Sequence, residues 1–196
     1  MDRIYFDHAA TTPMLPEVAA VMTEAMGQYF GNPSSIHNEG RTARSVIEQA
    51  RKSIAEQIGA SIGEIFFTSG GTESNNMALK CAVRDLGVRR ILSTPLEHHC
   101  VLHSLESLRE HGAVEVEMVR TDEQGRVDHG HLAALLSDGG AKTLVSLMYA
   151  NNEIGTLLDF EAVARICQEH GALFHSDTVQ AMGYYPIDVS QTPVSF

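Results

Sequence analysis

Between residues 65 and 177, five short apolar runs alternate with segments of helical period. IFFTS (65–69), RILST (90–94), VEVEMV (114–119), TLVSLMYA (143–150) and ALFHSD (172–177) read as strands, and helical patterns separate most of them. Apolar strands spaced by helices make a parallel sheet covered on both faces, because each crossover helix must lie against the sheet. The expected class is α/β, doubly wound. In such sheets ligands sit at the carboxyl ends of the strands, so the residues that follow each run are the ones to read for chemistry.

Ahead of this pattern, Val18, Val21, Met22, Ala25, Met26, Tyr29 and Phe30 recur at helical spacing after Pro16, which predicts an amphipathic helix with one stripe facing a core and an end at Gly31. GNPSSIHNEG follows as a loop rich in turn formers. Residues 41–59 read as a second helix, with Val46, Ile47, Ala50, Ile54 and Ile58 on its apolar side. With 196 residues, 43% of them hydrophobic, the chain is long enough for one ordinary domain with a continuous core. A net charge of -11 and 14 scattered basic residues argue against nucleic acid, which needs clustered Lys and Arg. The opening MDRIYFDHAATTP carries no secretory pattern and no run reaches the length of a membrane span, so a soluble, cytoplasmic protein is expected. Cys81, Cys100 and Cys167 lie far apart with no CxxC pair, as suits buried thiols in a reducing compartment. His99 and His103 are four apart, but no third ligand or HExxH context accompanies them, so no metal site is expected.

Four strand ends carry polar clusters. After IFFTS comes Gly70-Gly71-Thr72-Glu73-Ser74-Asn75-Asn76, and then a helix. Glycines allow a tight turn, and a helix N-terminus offers N–H groups and a positive dipole end to a phosphate. The spacing is neither GxGxxG nor GxxxxGK[ST], so no nucleotide is implied, and the same residues would also serve a plain capped helix. The last run ends in His175-Ser176-Asp177-Thr178-Val179-Gln180, which sets a carboxylate and an amide in the same crevice. A heteroaromatic cofactor with a phosphate arm would use both, the carboxylate keeping a pyridine nitrogen protonated. Asp177 alone would equally be a helix cap. Asn151-Asn152-Glu153-Ile154-Gly155 is a turn or a further part of the site, and Glu97-His98-His99 brings an imidazole to the same edge.

Taken in order, YFDHAATTP, FGNPSSIH, FTSGGTESNN, EHH, NNEIG and HSDTVQAMG resemble the successive motifs of cysteine desulfurases, in the class V branch of fold-type I pyridoxal-phosphate enzymes. The resemblance covers essentially the whole chain. It implies a transferase-like large domain with a mainly parallel sheet, incomplete here, divided into residues 1–60 (N-terminal helices and a loop at the mouth of the active site) and 61–196 (most of the cofactor-binding domain). It implies that Gly71 and Thr72 bind the phosphate of pyridoxal 5'-phosphate and that Asp177 pairs with its pyridine nitrogen. His98 would stack on the ring and move protons, Gln180 would bond the phenolic oxygen, and Asn152 would reach that oxygen or the substrate carboxylate. The implied reaction takes sulfur from L-cysteine, leaving alanine and a persulfide for an acceptor or scaffold protein in iron–sulfur or thio-cofactor assembly. The implied enzyme is a homodimer.

The family's next strand leads to a Ser-x-His-Lys motif, whereas this sequence ends Pro193-Val194-Ser195-Phe196. Lys52, Lys80 and Lys142 have no such context. The expectation is therefore that the cofactor-anchoring lysine, the substrate-binding arginine and the sulfur-accepting cysteine belong to a missing C-terminal half. Residues 1–196 alone would be inactive, would hold the cofactor only reversibly, and would leave an unpaired strand edge at 65–69 that promotes self-association. Selenocysteine lyase or another class V relative stands as the alternative chemistry. A non-catalytic truncated homologue or fragment is the alternative of another class.

Overall fold

A computed structural model describes residues 4–196 as two compact units, one up to Phe66 and one from Phe67 to Phe196. The first holds α1 (Pro16–Gln28), α2 (Asn38–Ile58) and a single 3-10 turn at Ile62–Glu64. α1 starts on Pro16, whose fixed φ suits the first helical position, and stops at Gln28, three residues short of Gly31. Its predicted inward stripe is not buried: Val18, Val21, Met22 and Met26 are all exposed, and α1 contributes no buried residue. The pattern marks a face, but burial needs an opposing layer. α2 begins earlier than expected, at Asn38, because the His37 ring caps the Gly40 N–H, and it ends at Gly59 in the left-handed conformation (φ 69°). The GNPSSIHNEG loop folds tightly onto this start: a side chain at Gly40 would fall 2.6 Å from the Asn32 and Ser35 carbonyl oxygens.

In the second unit, α3 (Gly71–Arg84) precedes β1 (Arg90–Ser93), α4 (His99–Glu110), β2 (Glu115–Met118), α5 (His129–Ser137), β3 (Thr143–Ser146), α6 (Phe160–Glu169) and β4 (Leu173–His175). All strands are parallel, in the order β2-β1-β3-β4. Successive strand residues face opposite layers. Ile91 and Leu144 pack with Leu79 and Val83 of α3 and with Val101 and Leu105 of α4, whereas Leu92, Val145 and Phe174 pack with Leu132 of α5 and Val163 and Ala164 of α6. Helices thus cover both faces, as the doubly wound reading requires. Arg90, a charged residue on a central strand, is only 8% exposed. Its guanidinium donates to Glu117 Oε1 (2.5 Å) on β2 through Nε and to the Leu135 carbonyl (2.7 Å) through Nη1, so its charge is paired.

Four strands form among the described residues, not five. IFFTS (65–69) is extended at Ile65 (φ -98°, ψ 120°) but is not among the strands formed by the described residues, and Phe66 and Phe67 are 70% and 51% exposed. A β-strand exists only through a ladder partner, and composition cannot supply one. The other runs are shorter than their apolar lengths, since the chain leaves each strand for a loop fastened by side chains. Pairing at the β3–β4 exit continues past the strands through Leu147 N–H to His175 O (3.1 Å) and Tyr149 N–H to Asp177 O (2.9 Å). On the far side of β4, the Ser195 N–H donates to Phe174 O (2.7 Å) and the Ser176 N–H to Phe196 O (3.3 Å). No helix among the described residues is long and apolar enough to cross a membrane.

Candidate active site

At the carboxyl end of β4 the buried Asp177 accepts two hydrogen bonds. The Val179 N–H donates to Oδ1 at 3.0 Å and Asn75 Nδ2 to Oδ2 at 2.8 Å. Asn75 lies on α3, four residues before the fully buried Leu79 and so on the same inward face. Since its Nδ2 serves Asp177, its Oδ1 must accept, and His175 Nε2 is the donor at 3.1 Å. His175 Nδ1 then accepts the Ser146 hydroxyl at 2.9 Å. The result is one oriented chain, Ser146 to His175 to Asn75 to Asp177, with every donor aimed toward the carboxylate. It requires His175 neutral, with its proton on Nε2.

Burial pushes His175 down to about 4, although the charge of Asp177 pulls the other way. A histidine whose folded pKa is depressed contributes stability above its unfolded value near 6.5, and that stability is lost as pH falls toward 4. The loss is expected to be on the order of 3 kcal/mol across that window. Urea midpoints for the parent and His175→Gln, measured from pH 7 to pH 4, check this. The parent's midpoint should fall more steeply, and parallel curves would contradict the assignment.

The glycine-led start of α3 faces this acid. Gly70 is extended (φ 161°, ψ 177°), and a side chain at Gly71 would lie 2.6 Å from Val179 Cγ2, two residues past Asp177. The close approach brings the first turn of α3 and the loop after β4 together. Around the turn, the Ser69 N–H donates to Glu73 Oε2 (2.6 Å) and the Thr68 and Ser74 hydroxyls are 2.7 Å apart. Thr72 stands exposed on the first helical turn, free to turn its hydroxyl to a ligand.

His98 caps α4. Its Nδ1 accepts the Cys100 N–H at 3.2 Å and lies 3.0 Å from Cys100 Sγ, so in the neutral ring the proton sits on Nε2, the nitrogen left for the solvent side. Cys100 also receives Asn75 Nδ2 at 3.3 Å, which links His98 to the Asp177 chain through one thiol. Gln180, partly exposed, lies in a turn closed by Ala181 and Met182 N–H groups bonding to Thr178 O. Asn152 donates to Glu153 Oε1 (3.2 Å), whereas its neighbour Asn151 is the buried member of the pair. Asn151 Nδ2 donates to Leu96 O (2.8 Å) and its Oδ1 accepts the Glu153 and Ile154 N–H groups. The structure therefore unites Gly71, Asp177 and His98 through Val179, Asn75 and Cys100. Of the lysines in this unit, Lys142 precedes β3, at the opposite end of the sheet, and Lys80 is nine residues along α3, about 13 Å up the helix from Gly71.

Sequence reasoning missed Asn75 and Asn151 as parts of the site. The signal for Asn75 was available: a polar residue on the buried face of a predicted helix needs a partner. Nothing in the string NN tells which asparagine turns inward.

An all-parallel doubly wound sheet, with a held acid at one strand's carboxyl end and a glycine-led helix start packed beside it, defines a ligand-binding α/β class. The aminotransferase class-V profile matches residues 4–196, and the chain belongs to that family. It is 45% identical over 197 residues to the putative cysteine desulfurase IscS 1 of Bacillus subtilis, covering 99% of this chain and 51% of that protein. Among solved structures, a NifS-like protein superimposes with a TM-score of 0.89 at 37% identity, covering 99% of this chain and 54% of that one. SspA in complex with cysteine does so at 0.86 and 31%, covering 97% and 55%. The chain spans about half the length of the curated relatives it matches.

Proposed function

We propose that this protein is a pyridoxal-phosphate-dependent cysteine desulfurase. The observation that carries the reading is Asp177: a buried carboxylate at a strand end, with both oxygens fixed by donors, beside the glycine-led start of α3. The residues suit the cofactor. Gly71 and Thr72 would hold its phosphate with backbone N–H groups, a hydroxyl and the positive end of α3. Asp177 would hold a proton on the ring nitrogen, and the Asn75 and Val179 bonds keep its carboxylate from rotating away. His98 would lie against the ring, and in its protonated form Nε2–H would give up a proton and later take it back, the proton left on Nδ1 pointing to Cys100 Sγ 3.0 Å away. Gln180 would hydrogen-bond the phenolic oxygen and Asn152 would reach that oxygen or the substrate carboxylate, with Asn151 fastening the Asn152 loop. When bound, the cofactor supplies an electron-withdrawing ring that stabilises negative charge on the substrate carbon. The amine that anchors it would come from the C-terminal half of the full-length protein and not from Lys52, Lys80 or Lys142.

L-cysteine is the substrate the relatives' names support, the reading that selenocysteine is preferred having no observation in its favour. In the same proposal the protein is a cytoplasmic homodimer that hands persulfide sulfur to an acceptor protein for iron–sulfur or thio-cofactor assembly. The test is to incubate the full-length protein, including the C-terminal half expected to supply the anchoring lysine, with pyridoxal phosphate, L-cysteine and a thiol reductant, and to quantify alanine and sulfide; residues 1–196 alone should make neither. Equimolar products are expected from the full-length protein. No alanine, or turnover of selenocysteine alone, would overturn the proposal.

A further inference from the structure

Glu97 precedes His98 in the loop between β1 and α4 and is only 6% exposed. Its Oε1 accepts the Met148 N–H at 2.9 Å, from the exit of β3, and lies 3.3 Å from the Thr94 hydroxyl. One residue earlier, the Leu96 carbonyl accepts Asn151 Nδ2 at 2.8 Å. Two hydrogen bonds therefore strap the loop that carries His98 to the loop that leaves β3, one through a backbone carbonyl and one through the Glu97 carboxyl. The other carboxyl oxygen, Oε2, is wholly buried and has no hydrogen-bond partner among the described residues.

We infer that Glu97 is a positioning residue, an uncharged carboxylic acid that holds the 94–98 loop against the end of β3 and so sets where the His98 imidazole stands at the crevice. This rests on the desulfurase reading of the site. A carboxylate here would leave a charged oxygen buried without a donor, which proteins avoid by keeping the group protonated. The surrounding charges point the same way. Asp177 contributes a negative charge from the β4 end, and β3 offers only the Met148 N–H. On the other side a cavity of about 340 Å³ carries Asp122, Arg126, His129 and Asp159 along with Glu97 itself. Burial, and secondly Asp177, push the Glu97 carboxyl up to about 8 against its ordinary 4.5, while the Met148 and Thr94 bonds act in the opposite sense. At neutral pH Glu97 then adds no charge beside Asp177, and it acts through geometry.

A raised folded-state value has a definite sign. The stability it represents is fully present below about 4.5 and is lost as pH rises through about 8, because the unfolded chain gives up the proton first. Glutamine keeps the shape, the Oε1 acceptor and the neutrality, and it has no proton to lose.

The experiment compares the intact parent protein with Glu97→Gln and Glu97→Ala. Ligand-free thermal midpoints are measured from pH 5 to pH 9, and the His98 C2–H resonance is followed by NMR. Glu97→Gln should match the parent at pH 5 and exceed it by several degrees at pH 8.5, with the His98 resonance unmoved. Glu97→Ala should shift or broaden that resonance. In turnover, kcat should stay within about twofold for Gln and fall about tenfold to a hundredfold for Ala, with KM little changed. A Glu97→Gln protein that tracks the parent's pH dependence, or that is as impaired as Glu97→Ala, would overturn the inference. If Glu97→Ala does not fold, the Gln comparison decides alone. A parent that makes no alanine would sink the desulfurase reading instead, while the midpoints and the His98 resonance still judge Glu97.

Discussion

Asp177→Asn is expected to lower kcat by at least about a hundredfold while leaving phosphate-arm binding measurable. Two effects combine. An amide cannot hold the positive charge of a protonated ring nitrogen, so the electron-withdrawing power of a bound cofactor falls. The substitution also disturbs the chain behind the acid. Oδ1 of an asparagine still accepts the Val179 N–H, but its NH2 then faces Asn75 Nδ2, donor against donor. Relief requires Asn75 to flip, which turns its own NH2 toward His175 Nε2–H and forces that ring into the other tautomer, with its Nδ1–H against the Ser146 hydroxyl. The defect should therefore reach Asn75, His175 and Ser146, behind the carboxylate. Initial rates of alanine formation give kcat, and a fluorescence titration with pyridoxal phosphate gives affinity. Parental turnover would mean that Asp177 does not carry the ring nitrogen.

Legibility differed between fold and site for physical reasons. The doubly wound sheet was plain in the sequence because burial on both faces leaves an unmistakable imprint on residues such as Ile91, Leu92, Leu144 and Val145. The 65–69 run carries the same imprint but is not a strand among the described residues, since a ladder depends on what lies beside a segment and not only on what it contains. α1 shows the same limit: its stripe is real, and its apolar side chains are exposed all the same. In the candidate site, Gly71, His98 and Asp177 could be proposed because each sits at a strand end or a helix start, positions fixed by local pattern. Asn75, His175 and Glu97 act across about a hundred residues of chain or through burial, and a string of letters does not display which polar group faces which. The asparagine pair illustrates the point. A single step of register decides that Asn151, whose Oδ1 caps two backbone N–H groups, is buried, and Asn152 is turned to Glu153.

Phe174→Ala should cost about 3–5 kcal/mol of stability, the range for removing a fully buried aromatic ring from a core that cannot collapse into the space. Phe174 is 1% exposed, and its ring centroid lies 5.2 Å from that of Phe160, which in turn stacks on Tyr149 at 4.8 Å. These three rings come from β4, the start of α6 and the exit of β3, so they fasten the sheet to its helix layer just beneath the crevice. Cavity formation is not the only consequence. Phe174 stands three residues before Asp177, and the Tyr149 N–H bonds to the Asp177 carbonyl at 2.9 Å. Losing the ring frees both ends of that contact and lets the carboxylate drift from Asn75. Stability and cofactor affinity should fall together, whereas Asp177→Asn should spare most of the stability. Chemical denaturation of the parent and Phe174→Ala proteins, with cofactor titration at a temperature where both stay folded, separates the cases. A loss under about 1 kcal/mol would show that the aromatic cluster is not what anchors the end of β4.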